Sequence, residues 1–123
     1  MPKIQRFEDL QAWQKARQLT QVIDELALGM KFVRDDYLRN QIRRAAGSVM
    51  HNIAEGFDSG SGPEFIRFLK MARRSASEVQ SELYQALDRK HITEEERQNA
   101  HDLANETKRL INGLVAYLRK RKD

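Results

Sequence analysis

The sequence predicts an all-α fold, an antiparallel up-and-down four-helix bundle filling one domain. Three observations lead there. Apolar residues recur three and four apart over four long stretches, no stretch alternates with the period of two that a strand requires, and the connections between stretches are short. The 123 residues suit one domain and leave no room for two. Apolar residues make up 40% and charged residues 33%, with only 2 prolines and 6 glycines to interrupt helices. Helices of roughly 20 residues span about 30 Å each and, joined by short connections, pack most simply up-down-up-down.

The first helix is expected from near Asp9, a capping residue, to about Leu28 before Gly29. Trp13, Ala16, Leu19, Ile23, Leu26 and Ala27 form its apolar face, and Phe7 sits where it can fold back on the first turn. The second helix follows Asp35-Asp36, whose carboxylates suit a helix start, and is expected to end around Gly56. Its buried side is Leu38, Ile42, Ala45, Ala46, Val49 and Ile53. The clearest loop is Asp58-Ser59-Gly60-Ser61-Gly62, after which Pro63 serves as the first residue of the third helix. Phe65, Leu69, Ala72, Ala76, Val79, Leu83 and Leu87 then repeat at helical spacing. This glycine-rich loop lacks the lysine-threonine ending of a phosphate-binding loop and is read as a connector. The fourth helix opens on a capping box in which Thr93 and Glu96 are the reciprocal pair. Ala100, Leu103, Thr107, Leu110, Leu114, Tyr117 and Leu118 continue its stripe.

Composition narrows the function. The absence of cysteine excludes disulfides, thiolate metal sites and cysteine nucleophiles. The opening Met1-Pro2-Lys3-Ile4-Gln5-Arg6 has no apolar signal region, and no apolar run approaches membrane-spanning length, so a cytoplasmic setting is expected. Net charge is +4 and the pI about 9.6, a mild lean towards polyanions whose strength depends on local clustering.

Catalytic patterns are sparse. A bundle dimetal site needs Glu-x-x-His pairs facing inward, and none occurs; the reversed His91 to Glu94 lies at a helix boundary. His51 and Glu55 are four apart, but His51 points away from the apolar face. His101 lacks an acidic neighbour on the core side, and Ser48, Ser75 and Ser77 have no histidine placed to activate them. No catalytic residue, metal or cofactor is expected.

Two polar patterns stand out. On the second helix Gln41, Arg44, Ser48, Asn52 and Glu55 fall within a sector of roughly 80° bordering the apolar face. Semi-buried polar groups there require partners, supplied by a network within the subunit, a subunit interface or a ligand. On the third helix Arg67, Lys70 and Arg74 lie opposite the apolar face with Arg73 nearby. Arg43 and the terminal Arg119-Lys120-Arg121-Lys122 add positive surface. Such clusters track phosphate backbones by releasing counterions, or are solvated faces; Glu78 and Glu82 dilute this one.

Phe7-Glu8-Asp9-Leu10 with Trp13, Gln41-Ile42-Arg43-Arg44-Ala45-Ala46, Asn52-Ile53-Ala54-Glu55-Gly56, Glu64-Phe65 with Phe68-Leu69, and the Ala72/Ser75/Glu78 region together resemble one bacterial family. It is the four-helix-bundle family encoded in intervening sequences of large-subunit ribosomal RNA genes, and the resemblance covers nearly the whole chain. The resemblance implies a cytoplasmic bundle that assembles into a ring, commonly a homopentamer. It also implies a fold similar to the accessory protein of diversity-generating retroelements, a basic pentameric barrel that binds nucleic acid beside a reverse transcriptase. Arg43, Arg44, Asn52, Glu55 and Gly56 match the family pattern as structural or interface residues, with no catalytic role attached. The net charge of +4 falls below that of a strongly basic nucleic-acid binder. The leading expectation is a non-catalytic homo-oligomeric accessory protein contacting RNA or DNA phosphates. The alternative is an oligomeric scaffold for a protein partner with no nucleic-acid role.

Overall fold

Helix boundaries fall where side chains or tight turns take over the unpaired backbone groups. The computed structural model describes residues 4–121, so Met1, Pro2, Lys3 and the Lys122 of the basic run lie outside the described residues. Four helices follow in order: α1 (Gln11–Leu26), α2 (Asp36–Asp58), α3 (Gly62–Asp88) and α4 (Glu94–Lys120). Two single 3-10 turns, Phe7–Asp9 and Phe32–Arg34, precede α1 and α2. Each helix packs on its sequence neighbours and α1 closes the ring against α4, so the bundle is up-and-down and antiparallel, with no strand among the described residues.

Local chemistry explains most of the boundaries. Asp35 caps α2 by accepting from the Leu38 amide at 3.2 Å. Ser61 caps α3 through the Glu64 amide, with Pro63 in the first turn. Thr93 and Glu96 complete both halves of the expected capping box, at 3.1 and 2.9 Å. At the end of α3, Lys90 adopts a φ of 64°, letting the amides of Lys90 and His91 reach the carbonyls of Leu87 and Ala86. That pair of bonds is the Schellman arrangement, here built without the usual glycine.

Three expectations require correction. First, α1 begins at Gln11 rather than Asp9: residues 7–9 form a separate 3-10 turn and Leu10 supplies no side-chain cap. Phe7 does fold back, its ring 5.2 Å from Trp13, and α1 ends at Leu26, short of Leu28. Second, Gly56 does not end α2, which continues through Asp58 and shortens the expected loop. Gly56 is buried, and a Cβ there would lie 2.7 Å from Phe68 Cβ and 2.9 Å from Phe65 Cδ1. It is a packing glycine that lets α2 and α3 approach closely. Third, the buried line of α4 is rotated from the expected stripe. Ala100, Ala104, Thr107, Ile111, Val115 and Leu118 face inward, while Tyr117 is 41% exposed.

The core has two halves stacked along the bundle. One gathers Leu19, Ile23, Phe32, Leu38, Ile42, Val79, Leu83 and Ile92 beneath the α1–α2 and α3–α4 connections. The other gathers Leu10, Val49, Ile53, Phe65, Leu69, Ile111, Val115 and Leu118 beneath the α2–α3 connection and the chain ends. At the first end Asp35 Oδ2 accepts from Arg89 at 2.7 Å and lies 2.8 Å from His91 Nε2, while the His91 ring stacks on Phe32. These partners, His91 first and Arg89 next, hold the Asp35 carboxyl down to about 2.

Candidate nucleic-acid interface

The register between α3 and α4 is set by a polar latch. Gln80, buried on α3, donates to Asn105 Oδ1 at 2.7 Å and to the His101 carbonyl at 3.2 Å, and accepts from Lys108 Nζ at 3.1 Å. Two turns along, Arg73 Nη1 donates to Asn112 Oδ1 at 2.7 Å. These bonds bring the cations of both helices to one seam. Lys70 and Arg74 lie within a turn of Arg73 on α3, and Arg119 lies two turns beyond Asn112 on the same face of α4.

Lys70, Arg73 and Arg74 of α3 and Lys108 and Arg119 of α4 thus lie on the two helices that meet at this seam, with Arg73 and Lys108 bonded across it and Arg74 turned outward, opposite the core. Lys70, Arg73 and Lys108 are half-buried, and Arg74 and Arg119 are exposed. Among the described residues none of the five forms an ion pair. The latch contacts of Arg73 and Lys108 are to neutral amides, which position the cations without cancelling their charge.

The remaining basic residues go elsewhere. Arg43 pairs with Asp24 of α1 at 3.1 Å, across the bundle from this seam. Arg67 is held in a fork by Glu64 at 2.6 and 3.2 Å, which lowers the Glu64 pKa, and its guanidinium lies 4.8 Å from the Phe68 ring centroid. Lys120 is exposed at the end of α4, and Arg121 lies over the Tyr117 ring at 6.0 Å. The sequence pattern missed Lys108, because only the Gln80 latch reveals that it belongs with the α3 cations.

The polar stripe of α2 divides in two. Asn52 Nδ2 donates to the Ser48 hydroxyl and carbonyl, both at 2.9 Å, and Ser75 of α3 donates to Ser48 at 3.0 Å. These groups, half-buried, form a network within the subunit. Arg44 and Glu55 are exposed, and Gln41 is half-buried level with Glu82 of α3. Of the histidines, His51 is exposed, while His101 packs edge-on to Tyr84. Among the described residues no group of His, Asp and Glu forms a metal site, and no helix is long and apolar enough to cross a membrane.

The fold is that of an all-α four-helix bundle whose last two helices carry the cations described above. The chain belongs to the 23S rRNA-intervening sequence protein family, which it matches over residues 8–113. Its fold is similar to that of a protein of unknown function from the S23 ribosomal protein family of Bacteroides thetaiotaomicron. The TM-score is 0.75 at 20% identity, over 85% of this chain and 95% of that one. None of the curated proteins matches it.

Proposed function

We propose that the protein is a non-catalytic, homo-oligomeric accessory protein that contacts nucleic-acid phosphates through the α3–α4 seam. The observation that carries this reading is Arg73 and Lys108, each bonded to a neutral amide across the α3–α4 seam, with Lys70, Arg74 and Arg119 on the same two helices and in no ion pair among the described residues. Unneutralised cations kept together on a surface repel one another, and a polyanion relieves that repulsion while its counterions are released. The family's description, tied to intervening sequences of 23S rRNA, makes RNA the first ligand to test. A cytoplasmic location accords with that ligand.

The test compares charge reversals. Lys70→Glu with Arg74→Glu, and Lys108→Glu with Arg119→Glu, are expected to weaken binding of labelled RNA at least tenfold each. Arg43→Glu, whose cation is already paired, is expected to change it little. Equal effects from all three variants would remove the seam from the account.

The alternative, a scaffold for a protein partner, has an observation of its own. Leu28 and Met30 are 74% and 86% exposed at the tip of the α1–α2 connection, an apolar pair that water does not favour. A defined protein that copurifies after nuclease treatment and is lost in Leu28→Ser with Met30→Ser would favour that reading.

A further inference from the structure

The side chains that meet across the α3–α4 seam are polar, and one aromatic ring stands among them. Arg73, Gln80 and Tyr84 fall within a sector of about 40° on α3. Each meets α4 in turn: Arg73 at Asn112, Gln80 at Asn105 and Lys108, Tyr84 at Arg97 and His101. Tyr84 therefore continues the latch by one further turn, about 6 Å beyond Gln80. The ring belongs to neither half of the core. Arg97 is buried with its guanidinium carbon 4.6 Å from the ring centroid, and His101 meets the ring at 73°. Glu94 accepts from Arg97 Nε and Nη2 at 2.8 and 2.7 Å, and Gln98 accepts from Nη2 at 2.8 Å, so the cation is clamped. Apolar burial does not explain an aromatic here, because its seat is polar. Arg97 Nη1 and His101 Nδ1 are shielded from solvent without a hydrogen-bond partner among the described residues. Tyr84 is still 48% exposed. With a clamped cation on one side, its open surface is the other face of the ring. A flat ring held in place and turned to water is a platform on which a second ring can stack.

We propose that Tyr84 stacks an unpaired base of an RNA whose phosphates are held further along the seam by Lys108 and Arg73. The proposal rests on the phosphate-contact reading given above and names the feature of the RNA that the seam selects. The ligand follows from two chemistries in one line. An aromatic platform lies at one end, and cations follow about one and three turns away. A nucleotide joins an aromatic plane to an anion within a single unit. Charge decides which end takes the base. Glu94 neutralises Arg97, Asp88 is exposed one turn beyond Tyr84, and Asp102 of α4 lies nearby, bonded to Gln98. A phosphate is therefore disfavoured beside Tyr84 and favoured at Lys108 and Arg73, whose bonds are to neutral amides. A base inside a duplex has both faces covered by its neighbours, so the one that reaches Tyr84 stands outside the paired region.

The experiment compares a blunt RNA duplex with the same duplex carrying unpaired adenines at both 3′ ends or at both 5′ ends. Affinity is read by fluorescence anisotropy, and stacking by quenching of 2-aminopurine placed in the overhang. The wild type is expected to prefer one overhang form by at least about fivefold, the low end of base–aromatic stacking. Tyr84→Ala is expected to bring that form down to the blunt duplex and to abolish the quenching, with the salt slope of blunt-duplex binding unchanged. Tyr84→Phe is expected to keep the preference, because stacking needs the ring and not the hydroxyl. Tyr84→Leu, which keeps apolar bulk without a π face, is expected to lose it and covers the case in which Tyr84→Ala fails to fold by circular dichroism. Blunt and overhang forms bound equally by the wild type would remove the stacking and leave the phosphate reading intact. No binding of any RNA at low salt would remove both. Folded Tyr84 variants that weaken blunt and overhang forms alike would make the ring a structural element only. Adenosine monophosphate bound as tightly as the overhang RNA would make this a pocket for free nucleotides and overturn the assignment to RNA.

Discussion

Replacing Gly56 with alanine sets two effects of comparable size against each other. In an exposed helix interior alanine is favoured over glycine by about 1 kcal/mol. At Gly56 the added Cβ would come within 2.7 Å of Phe68 Cβ, 2.9 Å of Phe65 Cδ1 and 3.3 Å of the Phe65 carbonyl. The Phe65 ring can turn, but Phe68 Cβ and the carbonyl are fixed to the α3 backbone, so α2 and α3 must separate. Overpacking of this kind costs about 1–3 kcal/mol. The balance is a net loss of up to about 2 kcal/mol, or a fall of up to roughly 10 °C in Tm for a chain of this size. Gly113 is the internal control, because a Cβ there meets nothing within 4 Å. Gly113→Ala is expected to gain about 0.5–1 kcal/mol. Thermal and urea unfolding of both variants, at one fixed protein concentration, reads the two signs directly. If Gly56→Ala proves as stabilising as Gly113→Ala, the close α2–α3 approach inferred at this glycine is wrong.

Three further outcomes follow from the same chemistry. Asp35→Ala removes the α2 cap and strands Arg89 and His91, so urea unfolding is expected to show a loss of about 1–3 kcal/mol. Folding lowers the Asp35 pKa from 3.8 to about 2, so its contribution is complete above pH 4 and drains away as pH falls towards 2. The wild type and Asp35→Ala should therefore converge in stability at acid pH. Lys90→Gly relieves the left-handed backbone at φ 64° and is expected to raise stability by up to about 1 kcal/mol in thermal unfolding. Folding raises the Glu82 pKa from 4.5 to about 7, so the folded subunit takes up a proton and loses stability as pH rises through that window. Measured at a dilution that leaves single subunits, Glu82→Gln should gain on the wild type from pH 5 to pH 8; parallel curves would contradict the raised pKa.

Features governed by nearby backbone were legible in the sequence. The Thr93–Glu96 box, the Asp35 cap and Pro63 in the first turn of α3 each depend on residues within one turn. Gly56 misled because a terminating glycine and a packing glycine are the same residue, distinguished only by Phe65 and Phe68 across the seam. The 3-10 turn at residues 7–9 likewise took Asp9 out of the capping position that its residue type suggests. Charge behaved in the same way. Glu64 sits three residues before Arg67, so that pair was readable from spacing, whereas Arg43 finds Asp24 19 residues away through the packing of α1 on α2. Lys108 joined the α3 cations only through Gln80, a polar residue on the buried side of its helix.

The measurement that bears most directly on the central claim is the salt dependence of RNA binding. If all five seam cations contact phosphates of a duplex, log K should fall against log salt with a slope of about 4–5 per bound subunit. Neutralising Lys70 and Arg74 should reduce that slope by about 2. Binding whose slope is unchanged by those substitutions, or no binding at low salt, would contradict phosphate recognition by the α3–α4 seam.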